Sequence, residues 1–354
     1  MSPATLLMEA TYLVASVLFI LGLKAMSHPE SARRGMFYAE AGMAAAIIGT
    51  LIGQHIVTWV WIVAGLLLGS AIGAWMGLTV PMTAMPQRTA LSHAFGAMAA
   101  ALVGIAEFGV HGSEMSVFTR GALGFEVMLG ALTTTGSLIA AGKLQGVIRG
   151  APVQFRGQQA LNLLIALGMV GCFVAFWINP AWLVAFYTMV GLALAFGVML
   201  VIPIGSADMP VVMSLLNSYA GLAATATGFV LGNNVLIIAG TLDGFSGLIL
   251  SILMCKAMNR SITNVLFGGF GSVVAEASSN AGGTMREISI DDAAVQLAYA
   301  RSVIFVPGYG LATAQAQHVV RELAEVLEGR GVTVKYAIHP VAGRMPGHMN
   351  VLLA

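Results

Sequence analysis

Nine apolar stretches, each about as long as a bilayer is thick, govern what this chain can fold into. A helix needs roughly 20 residues to cross the hydrocarbon core. Apolar runs sit near residues 4–23, 37–54, 57–78, 86–109, 122–141, 159–178, 181–202, 210–230 and 233–255. Inside lipid, every backbone N–H and C=O must be satisfied internally, so runs of this kind become helices. Charged residues make up only 9% of the 354 residues, against roughly a quarter in an average soluble domain. The sequence therefore predicts a polytopic α-helical membrane protein. A net charge of +1 offers no basic surface to nucleic acid. Cys172 and Cys255 lie in different apolar runs and read as small buried hydrophobes, with no disulfide framework and no metal set. The first run lacks the basic start and small-residue cleavage site of a signal peptide, and is long enough to span.

Lysine and arginine fix the expected orientation. One set of connections carries Lys24, Arg33, Arg34, Arg88, Lys143, Arg149, Arg156, Lys256 and Arg260, whereas the opposite set carries Arg120. That bias places the N-terminus outside and the C-terminal portion in the cytoplasm. The third run spaces Gly65, Gly69, Gly73 and Gly77 four apart, a seam along one helix face where another backbone can approach closely.

Titratable groups inside a bilayer are costly and so point to function. His93, in "TALSHAFG", is the histidine that falls within a span. Its imidazole titrates near neutrality without extreme tuning. Ser137 and Asn217 fall at a similar depth from the same side, and both can hold a water or an imidazole by hydrogen bonds. These three read either as a proton relay or as an interhelical hydrogen-bond cluster. Asp243, near the middle of the last span, is a second proton-site candidate. Glu9, Glu40, Glu107 and Glu126 are expected near span ends, at the interface. Asp208 lies in a loop bracketed by Pro203 and Pro210, either as a helix N-cap or as a contact to the cytoplasmic portion.

After Arg260 the composition changes. Residues 261–300 are small, polar and glycine-rich and read as a linker. Residues 301–354 read as the start of a βαβ unit: "SVIFVP" as a strand, "GYGLATAQAQHVVRELAEVLEGRG" as a turn and an amphipathic helix, "VTVKYAIHP" as a second strand. A strand-to-helix turn of this kind is where a dinucleotide phosphate docks. Gly308 and Gly310 fit the first two glycines of GxGxxG, while Thr313 holds the third position. The second strand ends in Ile338, His339 and Pro340, without the acid that binds a ribose 2′-OH, which favours NADP over NAD. Arg344 follows in a glycine-bounded loop suited to phosphate.

The segments "ADMPVVMSLLNSYAG", "ILMCKAMNRS", "VPGYGLATAQAQ" and "HPVAGRMPGHMNVLLA" closely resemble the β subunit of the proton-translocating NAD(P) transhydrogenases, and the resemblance runs through all nine spans and the tail. It implies an enzyme that moves a hydride from NADH to NADP+ and couples this to inward proton flow. It implies a transmembrane proton-translocating domain over 1–260, a linker over 261–300, and over 301–354 the first part of an incomplete Rossmann-like NADP(H)-binding domain. NAD(H) would sit on a separate α subunit, in a dimer of αβ units embedded in the bacterial inner membrane. The family's intramembrane histidine, serine and asparagine match His93, Ser137 and Asn217, and its loop aspartate matches Asp208. Its glycine turn matches Gly308, Tyr309 and Gly310, and its next nucleotide loop matches Ala342, Gly343, Arg344, Met345 and Pro346. The alternative class is a secondary proton or ion transporter regulated by its nucleotide-binding portion; no inverted repeat supports it. Family members continue for roughly a hundred residues more, so the nucleotide domain is expected to be cut short and this chain alone inactive. Two or three elements cannot bury a core of their own. NADP affinity of the isolated chain is therefore expected to be weak or absent; a nucleotide titration returning submicromolar affinity would contradict this.

Overall fold

The computed structural model describes residues 3–53, 59–80, 84–112, 114–153, 155–257, 262, 288–339, 342 and 347–353. Nine helices among the described residues are long and apolar enough to cross a membrane. They are α1 (Pro3–Met26), α2 (Ala32–Gly53), α3 (Trp59–Thr79), α4 (Met85–His111), α5 (Val117–Gln145), α6 (Gln158–Ile178), α7 (Leu183–Val201), α8 (Met209–Leu231) and α9 (Asn234–Ala257). Each expected span has its helix. The largest difference is at α5, which runs beyond 122–141 at both ends. Ser116 starts it by accepting from the Thr119 amide, and Gly146 stops it in the left-handed conformation at φ 79°.

α5 is the centre of the bundle. It packs against α4, α6, α7 and α8, and α8 packs in turn against α9. Phe108, Leu123, Val127, Phe176, Phe186 and Met189 form one buried cluster around it. A second joins Ala140, Leu144, Val201, Val212 and Leu216 nearer the expected cytoplasmic end. The α1–α2 hairpin joins the bundle through α9, and Asn233 Nδ2 donates to the Tyr12 hydroxyl at 3.3 Å.

Small residues set how closely these helices approach. A Cβ on Gly221 of α8 would overlap the backbone of Gly244 on α9 and lie 2.8 Å from the Gly240 carbonyl oxygen. A Cβ on Gly130 of α5 would lie 2.9 Å from the Ala97 carbonyl oxygen of α4. α3 behaves differently. None of its described residues is buried, and nothing lies within 4 Å of a Cβ placed on Gly65, Gly69 or Gly73. Of the seam expected to serve helix packing, Gly77 alone has a neighbour within 4 Å of its Cβ among the described residues, Arg88 Nη2 at 3.6 Å.

Most of the expected linker, residues 261 and 263–287, lies outside the described residues, as do residues 258–260. The last part of the linker contains a helix: Ser289 caps α10 (Ile290–Ala298) by accepting from the Asp292 amide, and Asp291 and Asp292 sit favourably in the first turn. Beyond it, β1 (Ser302–Phe305) pairs in parallel with β2 (Thr333–Tyr336), Ser302 opposite Thr333. The expected single crossover helix is two: α11 (Tyr309–Thr313) and α12 (Gln317–Gly329), split where Gln315 takes φ 50°. α12 buries Ala324 and Leu327. A short α13 (His348–Leu353) follows.

Gly221→Ala is expected to destabilise the bundle by about 1–3 kcal/mol, the cost of overpacking at a closed contact. Gly109→Ala, at a position with nothing within 4 Å of its Cβ, serves as the control. Unfolding of the two variants in detergent micelles checks this, and equal stability would contradict the packing described.

Candidate functional site in the membrane and at the first strand turn

Three contacts fix the antiparallel register of α4 against α5. Gln87 Nε2 donates to the Leu144 carbonyl at 3.1 Å. Gly130 meets Ala97 and Ala101, and a Cβ on Gly104 would lie 3.2 Å from Glu126 Oε1. This register sets Ser137 level with His93. On the other side of α5, a Cβ on Gly136 would lie 3.0 Å from Leu216 Cδ2, which sets Asn217 at the same level. His93 stands eight residues after Met85, Ser137 eight before Gln145 and Asn217 eight after Met209. At 1.5 Å per residue all three lie about 12 Å inside their helix ends. Ser137 is deeper than the sequence suggested, because α5 continues to Gln145.

The layer is polar and incompletely bonded. Asn217 Nδ2 donates to Asp243 Oδ1 at 3.0 Å, so the amide engages the carboxylate of α9. Asp243 also lies within electrostatic reach of the half-buried His93. His93 Nδ1 and Ser137 Oγ are buried and have no hydrogen-bond partner among the described residues. Such groups are rare in folded proteins, and a bound water is one way to satisfy them. Asp243 is exposed along α9 in the middle of a span.

Asp208 ends a 3-10 turn, Ser206–Asp208, and stands at the N-cap position of α8, but its side chain makes no capping bond. The connection that carries it is held from α5. Lys143 Nζ donates to the carbonyls of Ile202, of Ile204 at 2.7 Å and of Val201 at 3.4 Å. Ser206 N donates to the Gly150 carbonyl at 2.9 Å. Lys143, counted with the loop cations on sequence, is 2% exposed and lies in the last turn of α5. The last carbonyls of α7 have no partners within their own helix. Together with the negative end of the helix dipole they hold the ammonium without a carboxylate.

Sequence reasoning also missed Glu126. Read as an interfacial acid, it is 0% exposed, a correction that follows from α4 and α8 packing over that face of α5. Its signal was the spacing on α5, seven residues to Thr133 and eleven to Ser137, which returns to one helix face.

At the turn after β1, a cavity of 230 Å³ is lined by residues including Phe305, Pro307, Gly308, Leu311 and Tyr336. Gly308 is the N-cap of α11, and Tyr309 and Gly310 form its first turn. Nothing lies within 4 Å of a Cβ built on Gly308 or Gly310, so a ligand can come directly against the backbone. Ala342 is half-buried and its amide donates to the His339 carbonyl at 3.0 Å. Gly343, Arg344, Met345 and Pro346 lie outside the described residues.

A family model described as NAD(P) transhydrogenase beta subunit matches residues 8–354. The chain belongs to that family. Two curated sequences named NAD(P) transhydrogenase subunit beta, one from Rhodospirillum rubrum and one from a named strain of that species, are each 49% identical over 360 residues. Each match covers 98% of this chain and 76% of the relative. The nine long apolar helices among the described residues fit a membrane protein.

Lys143→Met is expected to leave the Ile204 carbonyl without its donor, at about 1–3 kcal/mol for a buried acceptor left unmet, while the Val201 and Ile202 carbonyls keep the amides of Ile204 and Val153. Limited proteolysis of the connection over 202–208, faster in the variant, checks this; an unchanged cleavage rate would contradict it.

Proposed function

We propose that this chain is the β subunit of a proton-translocating transhydrogenase, an oxidoreductase that couples hydride transfer from NADH to NADP+ to proton movement across the membrane. The observation that carries the reading is the layer at one depth of His93, Ser137 and the Asn217–Asp243 pair. A titratable imidazole beside unmet polar groups suits proton exchange better than static packing does.

In this reading the membrane domain is 1–260 and the nucleotide portion is 301–354, a Rossmann-like beginning. NADP(H) belongs to this chain and NAD(H) to a partner α subunit. The open backbone at Gly308 and Gly310 fits a dinucleotide phosphate, with Tyr309 beside it and Ala342, Gly343, Arg344, Met345 and Pro346 as the second nucleotide loop. Bound NADP+ supplies the hydride acceptor, and the organic chemistry is the cofactor's own. What this chain contributes is position and coupling. Protonation of His93 biases the connection bearing Asp208, which Lys143 ties to α5. Coupling of this kind is reciprocal, so the nucleotide state also shifts the proton affinity of His93.

The partner follows from Asp243. A carboxylate exposed at mid-span is a poor neighbour for lipid, so α-subunit helices are proposed to cover the α4–α8–α9 face. The positive-inside bias supports an outward N-terminus and a cytoplasmic tail, in the inner membrane of a bacterium and in a dimer of αβ units.

His93→Ala, assembled with the α subunit in sealed vesicles, is expected to abolish proton uptake during NADH-driven reduction of an NADP analogue. Simultaneous recording of a pH-sensitive dye and of hydride transfer checks this. Proton uptake at the unsubstituted rate would contradict the reading.

A further inference from the structure

α5 carries more buried, unmet polar atoms than the layer at His93 uses. Glu126 and Thr133 are fully buried and Ser137 is 1% exposed. Both carboxylate oxygens of Glu126, Thr133 Oγ1 and Ser137 Oγ lack a hydrogen-bond partner among the described residues. Spaced seven and then four apart, the three side chains share one stripe of the helix. The stripe spans about 16 Å at 1.5 Å per residue. Other hydroxyls on the same helix are satisfied: Thr134 donates to the Gly130 carbonyl at 2.7 Å and Thr135 to the Leu194 carbonyl at 2.8 Å.

The surroundings of Glu126 are specific. α4 comes close enough for a Cβ on Gly104 to meet its carboxyl carbon at 3.2 Å. From α8 the Thr227 hydroxyl comes within hydrogen-bonding reach of it and also donates to the Ala223 carbonyl at 3.0 Å. From α4 its electrostatic neighbour is Glu107, which pairs with His111 Nδ1 at 2.8 Å toward the outward end of that helix. An ionised carboxylate here would have no cation beside it and at best one hydroxyl, shared with the Ala223 carbonyl, a costly arrangement for a buried interior. A protonated one would still leave donor and acceptor positions that water can fill.

We propose that the stripe Glu126, Thr133 and Ser137 forms the outward half of the proton path, with Glu126 as a proton-carrying station between outside water and His93. The proposal rests on the reading that His93 exchanges protons. Glu126 gives its proton to water bridging the Thr133 and Ser137 hydroxyls, and the His93 imidazole receives one at the far end. In the same passage Glu126 takes another proton from outside by way of Glu107 and His111, so the ionised carboxylate does not accumulate. No net charge remains in the stripe after one passage. The class of ligand is water, held in single file by groups that a structural core would have satisfied.

The test uses the complete αβ enzyme in proteoliposomes. Glu126→Gln keeps shape and removes the titrating group; Thr133→Val breaks the stripe without touching a charge. Both are expected to lower proton uptake and the hydride transfer coupled to it at least tenfold, with Glu126→Asp restoring part of it. Infrared difference spectra between the two nucleotide states are expected to contain a carboxyl band that Glu126→Gln removes. Should Glu126→Gln fail to assemble, Thr133→Val and the infrared band of the unsubstituted enzyme decide the matter. Full proton uptake in Glu126→Gln and Thr133→Val, with His93→Ala inactive, would overturn this inference alone. Full uptake in His93→Ala as well would overturn the reading beneath it.

Discussion

Close approach of backbones at small residues is the constraint on which the whole bundle depends. Lipid tails give no hydrophobic reason for one apolar helix to prefer another, so association rests on van der Waals fit and on polar contacts between helices. Gly221 against Gly244, and Gly130 against Ala97 and Ala101, bring α8 to α9 and α5 to α4 at distances that a single added methyl group would forbid. That proximity has a chemical consequence. Side chains as short as Ser137 and Asn217 then face their neighbours across one layer without long spacers. The same closeness sets Gly104 directly over the Glu126 carboxyl.

Two polar devices sit on this scaffold at different depths. The first is the layer of His93, Ser137, Asn217 and Asp243, where the bonding is partial and one carboxylate is shared between α8 and α9. The second is the ammonium of Lys143, whose three carbonyl acceptors close off the end of α7 and lead directly into the turn that carries Asp208. One is poorly satisfied and the other fully so. A group meant to take up and release a proton needs loose bonding, whereas a strut needs the opposite. The contrast separates the part of α5 proposed to move charge from the part that holds a loop.

Much of this could be read from the chain. Helices in lipid are dictated by length and apolar composition, so the nine spans needed no tertiary information. His93 stood out because a titratable ring is costly to place in an apolar run, and packing alone gives no reason to choose one over a hydrocarbon side chain. The βα turn at Gly308 was legible from its local punctuation. Burial was harder, since it depends on which helices become neighbours. Glu126 lies only four residues inside the expected span, yet α5 extends past that boundary and α4 and α8 cover its Glu126 face. Lys143 looked like a loop cation because nothing local announces three carbonyls arriving from α7. The glycine seam of α3 showed the opposite error: a local pattern implied a packed helix face, and no described residue lies against Gly65, Gly69 or Gly73. In the tail, an amphipathic period continued across Gln315, while the backbone turns left-handed there and divides the helix.

The central claim is that the His93 imidazole exchanges protons with water in step with the nucleotide. Nitrogen NMR of the αβ enzyme with labelled histidine, assigned among the seven histidines by a His93 substitution, observes that ring directly. Spectra taken with NADP+ and with NADPH across about pH 5–9 span the range in which an imidazole ordinarily titrates. The account predicts that the ring titrates and that its midpoint differs between the two nucleotide states. A ring that stays in one protonation state throughout, or titrates identically with both nucleotides, would contradict it.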